Sequence, residues 1–239
     1  MAGRGTRGNK GGISVVLSGL STFHCSAGAG GGMLADILLG HDIVGAIEIE
    51  EYPREVLLKR QADGILPRFP IWDDVCTFRA DNPDTQAYIE GLRGIRDNLI
   101  IAGGFPCLDI SIAGKGAGLE GRHSGLYFEL ERIIREVRPR YVFIENSPML
   151  IKRGLKTILP RLAQMGYDAR WGVIGADDTG APHVRKRFWM WCERRGGEEK
   201  ETYPDTHGDG CERIQCSEED NEGGQLQGSQ SEVPRGTES

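Results

Sequence analysis

Leu99-Ile100-Ile101-Ala102-Gly103-Gly104-Phe105-Pro106-Cys107-Leu108 decides how this chain is read. Four consecutive apolar residues followed by two glycines read as a short buried strand. The strand ends at a turn in which Pro106 restricts the backbone beside a cysteine. A sheet edge of this kind is where a nucleophile belongs. A thiol is a nucleophile only as thiolate, so the site must also supply positive charge, a helix N-terminus or a proton relay.

Two further segments offer such groups. Tyr141-Val142-Phe143-Ile144 reads as a strand that ends in Glu145-Asn146, 38 residues beyond Cys107. A third strand, around Phe188 to Trp191, is preceded by Arg185-Lys186-Arg187. Each piece alone has a bland explanation: a cysteine as a small buried hydrophobe, Glu-Asn as a turn or helix cap, an arginine pair on a solvated surface. Together they predict three strand ends converging on one edge of a sheet.

Outward from these strands, apolar runs alternate with segments of helical period between Ile13 and Cys192. Strands are expected at Ile43 to Ile47, Leu99 to Ala102, Tyr141 to Ile144, Ala169 to Ile174 and Phe188 to Trp191. Helices are expected at Met33 to Leu39, Pro53 to Arg60, Leu126 to Ile134 and Leu155 to Gln164. This alternation predicts an α/β fold, a mainly parallel sheet with helices on both faces.

The first turn of the sheet, Ser26-Ala27-Gly28-Ala29-Gly30-Gly31-Gly32, runs directly into the first helix. Its glycines permit a ligand to approach the backbone, and the helix points its N-terminus at the same place. Glu48 ends the next strand 18 residues after Gly30, where nucleotide-binding βαβ units carry an acid for the ribose. The loop has no Gly-Lys-Ser/Thr, which favours an adenosine-type cofactor over ATP.

At 239 residues the chain is long enough to bury a substantial core, and no run of 18 apolar residues suggests a membrane span. Of 35 acidic and 29 basic residues, 12 and 3 lie beyond residue 195, so the tail carries −9 and the rest +3. Three segments are expected: a flexible basic arm over 1–12, a catalytic domain over 13–195, and an acidic, disordered tail over 196–239. With no secretory segment, a cytoplasmic protein is expected. The six cysteines show no paired spacing, and His207, Cys211 and Cys216 lie in too polar a stretch to favour a metal site, so no metal is expected.

In their order, these blocks resemble the DNA (cytosine-5) methyltransferase family, especially its phage and prophage branch, over roughly residues 13 to 192. Ala27-Gly28-Ala29-Gly30-Gly31 is similar to the cofactor loop, and Gly104-Phe105-Pro106-Cys107 to the nucleophile block. Glu145-Asn146 matches the glutamate block, and His183-Val184-Arg185-Lys186-Arg187 the arginine block. The resemblance implies a Rossmann-like fold that uses S-adenosyl-L-methionine. It places Gly28, Gly30, Glu48 (ribose), Ile49 (adenine stacking), Asp74 (adenine amino group), Phe105, Pro106 and Leu126 around that cofactor.

It further implies that Cys107 adds to C6 of a cytosine flipped out of double-stranded DNA, with Glu145 on N3, and Arg187, supported by Arg185, on O2. The setting would be restriction-modification or phage self-protection. The chain departs from the family pattern at Ser26, Leu108, Ser147 and His183, where Phe, Gln, Val and Gln are usual. After the arginine block, Tyr203 to Gly210 leads only into the acidic tail, where relatives continue into a target-recognition domain. A partner subunit supplying target recognition, a catalytically silent DNA- or cofactor-binding remnant, and an RNA cytosine-5 methyltransferase are the competing expectations.

Overall fold

The computed structural model describes residues 19–105 and 126–196. Seven strands form one sheet: β1 (Ser21–Cys25), β2 (Asp42–Ile47), β3 (Ile71–Trp72), β4 (Leu99–Gly104), β5 (Tyr141–Asn146), β6 (Tyr167–Ile174) and β7 (Arg187–Arg194). Their spatial order is β3-β2-β1-β4-β5-β7-β6. The first five are parallel to one another, and β7 runs antiparallel to both β5 and β6.

The helices are α1 (Gly31–Leu39), α2 (Glu51–Ala62), α3 (Pro83–Gly94), α4 (Leu126–Val137), α5 (Leu150–Arg153) and α6 (Leu155–Gln164). The chain moves outward from β1 to β3, then crosses back to β4 and β5 on the other side of β1. Buried residues of α1 and α2 join one core and those of α3 and α4 another, so the helices cover both faces of the sheet. The expected architecture of helices on both faces is therefore the observed one, with an antiparallel β7 added at one side.

Alternation along β1 divides the core in two. Phe23 and Cys25 join the larger core with Leu99, Ile101, Val142, Ile144, Ile133 and Ile158, whereas Met33, Ala46, Leu57 and Phe69 form a smaller one under α1 and α2. Toward α1, β1 presents His24, whose Nε2 lies 2.6 Å from Asp36 Oδ2; His41 Nδ1 lies 3.0 Å from the other carboxylate oxygen. Burial alone would raise the Asp36 pKa, but the hydrogen bonds from His24 and His41 outweigh it and hold the carboxyl below its ordinary value. This contact fixes the rotation of α1. Its inward face is Met33 and Asp36, while Leu34, Ile37, Leu38 and Leu39 remain exposed.

The sequence reading names neither β1 nor the single-turn α5, and it omits β3 and α3. The strand β3 is only two residues long and α3 carries a mixed surface, so neither gives a clear period. The helix is instead specified at its start: Asn82 caps it by accepting from the Asp84 amide, and Pro83 follows at the first helical position. Its Tyr88 hydroxyl donates to the Val44 carbonyl at 2.5 Å, directly above Gly45.

A Cβ on Gly45 would lie 1.9 Å from the Tyr88 hydroxyl and 3.1 Å from a Phe23 ring carbon. Gly45→Ala is therefore expected to lower the unfolding free energy by about 1–3 kcal/mol through overpacking. Urea denaturation measures it, and Tyr88→Phe in the same chain should recover part of the loss. A Gly45→Ala protein as stable as the wild type would contradict this packing.

Candidate active site

Because β1 to β5 are parallel and β7 is antiparallel, the ends of the first five and the start of β7 lie along one sheet edge. The register then sets the chemistry. Gly104 pairs with Glu145 across β4 and β5, and Glu145 pairs with Trp189 across β5 and β7. Arg187, two residues from Trp189, projects on the same face, and its Nε sits 2.8 Å from Glu145 Oε1. Three strand ends thus converge, as the sequence predicts.

Glu145 is half-buried, and its pKa is raised by desolvation, against the opposing charges of Arg187 and Arg185. Its other oxygen, Oε2, would lie 3.2 Å from a Cβ placed on Gly104. A glycine at 104 therefore leaves the carboxylate its space. Arg185 is exposed, and its carbonyl accepts from the Ala176 amide at 3.2 Å, which ties the loop between β6 and β7 to this edge.

Cys107 and Pro106 lie outside the described residues. The chain leading to them is anchored twice. Phe105 is 5% exposed and meets the buried Tyr127 of α4 edge-on at 5.4 Å. Its carbonyl accepts from Asn146 Nδ2 at 3.0 Å, and Asn146 Oδ1 accepts in turn from the Ser147 amide. Asn146 is a positioning residue that the sequence reading names only as Glu145's neighbour. The signal was its place in the strand, since adjacent residues face opposite sides of a sheet. Two other thiols are poor nucleophiles: burial pushes Cys25 and Cys192 up to about 12.

The second half of the site lies at the ends of β1 and β2. Gly28 and Gly30 adopt φ of 54° and 86°, the left-handed region that favours glycine. The buried Glu48 carboxylate accepts from the Gly28 amide at 2.5 Å and from the Glu50 amide at 3.0 Å. Ile49 stands beside it, 47% exposed. Asp74 follows β3, where Oδ1 accepts from the Cys76 amide at 2.8 Å. Leu126 is half-buried at the start of α4 and packs against the larger core.

The pieces brought together are therefore Gly28 with Glu48, and Glu145 with Arg187. An acid for hydroxyl groups, an exposed aliphatic face beside it and glycine amides at a helix N-terminus form a donor set that fits an adenosine. Among the described residues no group of three or more His, Cys, Asp or Glu could hold a metal ion, and no helix is long and apolar enough to cross a membrane. His207, Cys211 and Cys216 lie outside the described residues.

Residues 21–220 match the family described as C-5 cytosine-specific DNA methylase. The chain belongs to that family. It is 31% identical over 160 residues to the type II methyltransferase M.CviJI of Paramecium bursaria Chlorella virus IL3A, covering 66% of this chain and 39% of that protein. It is 29% identical over 182 residues to the type II methyltransferase M.HhaI of Haemophilus parahaemolyticus, covering 74% and 50%. The match thus spans half or less of the length of these curated relatives.

Similar solved structures include a DNA modification methyltransferase encoded within an E. coli prophage, with TM-score 0.57, 21% identity, and 73% of this chain and 47% of that one covered. The Dnmt2 methyltransferase of S. pombe gives TM-score 0.57 at 17% identity, with 76% and 52% covered. These likenesses establish the S-adenosylmethionine-dependent methyltransferase fold, and the family implies use of that cofactor.

Removing the cation beside Glu145 gives a test of the electrostatics. Arg187→Met keeps the alkyl stem but deletes a charge that lowers the Glu145 pKa, so the carboxyl should titrate at higher pH than in the wild type. The Glu145 side-chain carbon shift followed by NMR against pH reports this. A midpoint that fails to rise would mean that Arg187 does not face the carboxylate in solution.

Proposed function

We propose that this chain is the catalytic part of a DNA cytosine-5 methyltransferase, which moves a methyl group from S-adenosylmethionine to C5 of a cytosine. The observation that carries the reading is the Glu145–Arg187 pair beside Gly104, three residues before Cys107, on the same sheet edge as the Gly28–Glu48 loop. Bound there, the cofactor supplies an electrophilic methyl group. Glu48 would take the ribose hydroxyls, Ile49 and Asp74 the adenine, and Gly28, Gly30, Phe105, Pro106 and Leu126 the surrounding surface.

C5 of cytosine is a weak nucleophile until the ring is opened electronically. Cys107 thiolate would form a bond to C6 while Glu145 gives a proton to N3, which turns C5 into an enamine carbon. Arg187, with Arg185 nearby, would hold O2 and favour the thiolate. After methyl transfer to C5, the C5 proton would pass to solvent as the C6–S bond breaks, which reforms the C5–C6 double bond and frees the Cys107 thiolate, and the N3 proton would return to Glu145. Burial of Glu145 supports its part, because a carboxyl with a raised pKa is a better proton donor near neutral pH. A target cytosine in a duplex must leave the stack to reach this edge.

Tritiated methyl transfer from S-adenosylmethionine, with duplex DNA and tRNA in parallel, tests the activity and separates a DNA from an RNA substrate. Cys107→Ser should abolish transfer while leaving cofactor binding nearly intact. Duplex DNA carrying 5-fluorocytosine should trap the wild-type chain covalently, since fluorine cannot leave as the proton does. A Cys107→Ser chain that still methylates or forms the adduct removes Cys107 from the mechanism.

Glu145→Gln should slow transfer by at least about 100-fold, the scale of a positioned general acid, with cofactor affinity preserved. Glu48→Ala should weaken cofactor binding by about 1.5–3 kcal/mol, the worth of a hydrogen bond to a charged acceptor. Titration calorimetry reads the second effect. Unchanged affinity would remove the ribose from Glu48.

A further inference from the structure

One stripe of α2 reaches both loops of the cofactor region. Arg54, Leu57 and Arg60 recur every three residues and so share a side of the helix. Arg54 Nη1 donates to the Glu48 carbonyl at 3.0 Å and also to the Ile49 carbonyl. Arg60 Nη1 donates to the carbonyl of Ala29, 31 residues earlier in the chain. Between them Leu57 is fully buried, and its Cδ2 lies 2.8 Å from where a Cβ on Gly30 would stand.

The two loops are joined to each other as well. Glu48 carboxylate accepts the amide of Gly28 in the first loop and of Glu50 in its own. The carboxylate is therefore oriented only as well as both backbones are held, and α2 holds them at Ala29, Glu48 and Ile49. An arginine suits this task because its planar fork carries five donors on a long stem.

We propose that Arg54 and Arg60 are positioning residues for the cofactor, with α2 acting as the template that sets the glycine loop and the Glu48–Glu50 turn in their ligand-accepting shape. This rests on the cofactor reading above. Neither guanidinium needs to touch the ligand. Each fixes a carbonyl whose peptide carries a group that does: Ala29 next to the Gly28 and Gly30 backbone, Glu48 with its acid, and Ile49 with its exposed side chain.

The test uses the full chain, with titration calorimetry of S-adenosylmethionine and of 5′-methylthioadenosine, which lacks the amino-acid end. Arg54→Ala and Arg60→Ala should each weaken both ligands by about tenfold, roughly 1.4 kcal/mol. Arg60→Lys should restore part of the loss, since a lysine can still donate to one carbonyl. Amide hydrogen exchange of the ligand-free variants should speed up at Gly28 and Glu50, while their thermal midpoints fall less than that of Leu57→Ala.

Binding by the wild type that survives both arginine substitutions would overturn the proposal alone. A loss confined to S-adenosylmethionine would also overturn it, because the arginines would then be gripping the ligand's carboxylate. A wild-type chain that binds neither ligand would remove the cofactor reading, and this inference with it.

Discussion

The parallel register between β4 and β5 is the constraint on which the rest of the structure depends. It sets Gly104 opposite Glu145, so a residue with no side chain faces a carboxylate that needs room and partial burial. A slip of one residue would reverse the alternation and turn Glu145 toward the opposite face, where Ile144 now packs. The same slip would move Asn146 away from the Phe105 carbonyl. Backbone pairing and active-site geometry are here one and the same arrangement.

That register rests on burial. On one face, Leu99, Ile101, Val142 and Ile144 meet Leu130, Ile133 and Ile134 of α4 and Ile158 of α6. On the other, Phe143 stacks on Trp189 with centroids 5.4 Å apart, and Tyr141 meets Trp191 at 5.0 Å. These cross-strand aromatic pairs lock β7 to β5 and so fix where Arg187 begins. On the first face, Glu131 is buried and bound to both Arg161 and Arg135, joining α4 to α6. The Glu145–Arg187 pair at the edge stands on this rigid support.

The edge that carries the glycine loop and Glu48 is held differently. There is little apolar packing at Ile49, and the loops carry glycines that impose few preferences of their own. Order comes from hydrogen bonds to carbonyls and amides, with Glu48 and α2 at the centre. Such bonds contribute modestly to stability, about 1 kcal/mol each, yet they determine direction.

Much of this was legible in the sequence because it is local. The apolar runs at Leu99, Tyr141 and Phe188, the helical period of Leu126 and Leu155, and the glycine loop before Met33 fix the elements within a few residues. The types and order of the candidate residues, a cysteine, an acid and paired arginines at strand ends, are also read from the sequence alone, and the structure adds the Glu145–Arg187 contact. What only the tertiary structure decided is non-local: the antiparallel insertion of β7 between β5 and β6, the Asn146 bond to Phe105, and the reach of Arg60 to Ala29. Periodicity reports which side of its own element a residue takes, whereas partners across a sheet or between loops depend on strand order and register. Those are set by the packing of the whole core.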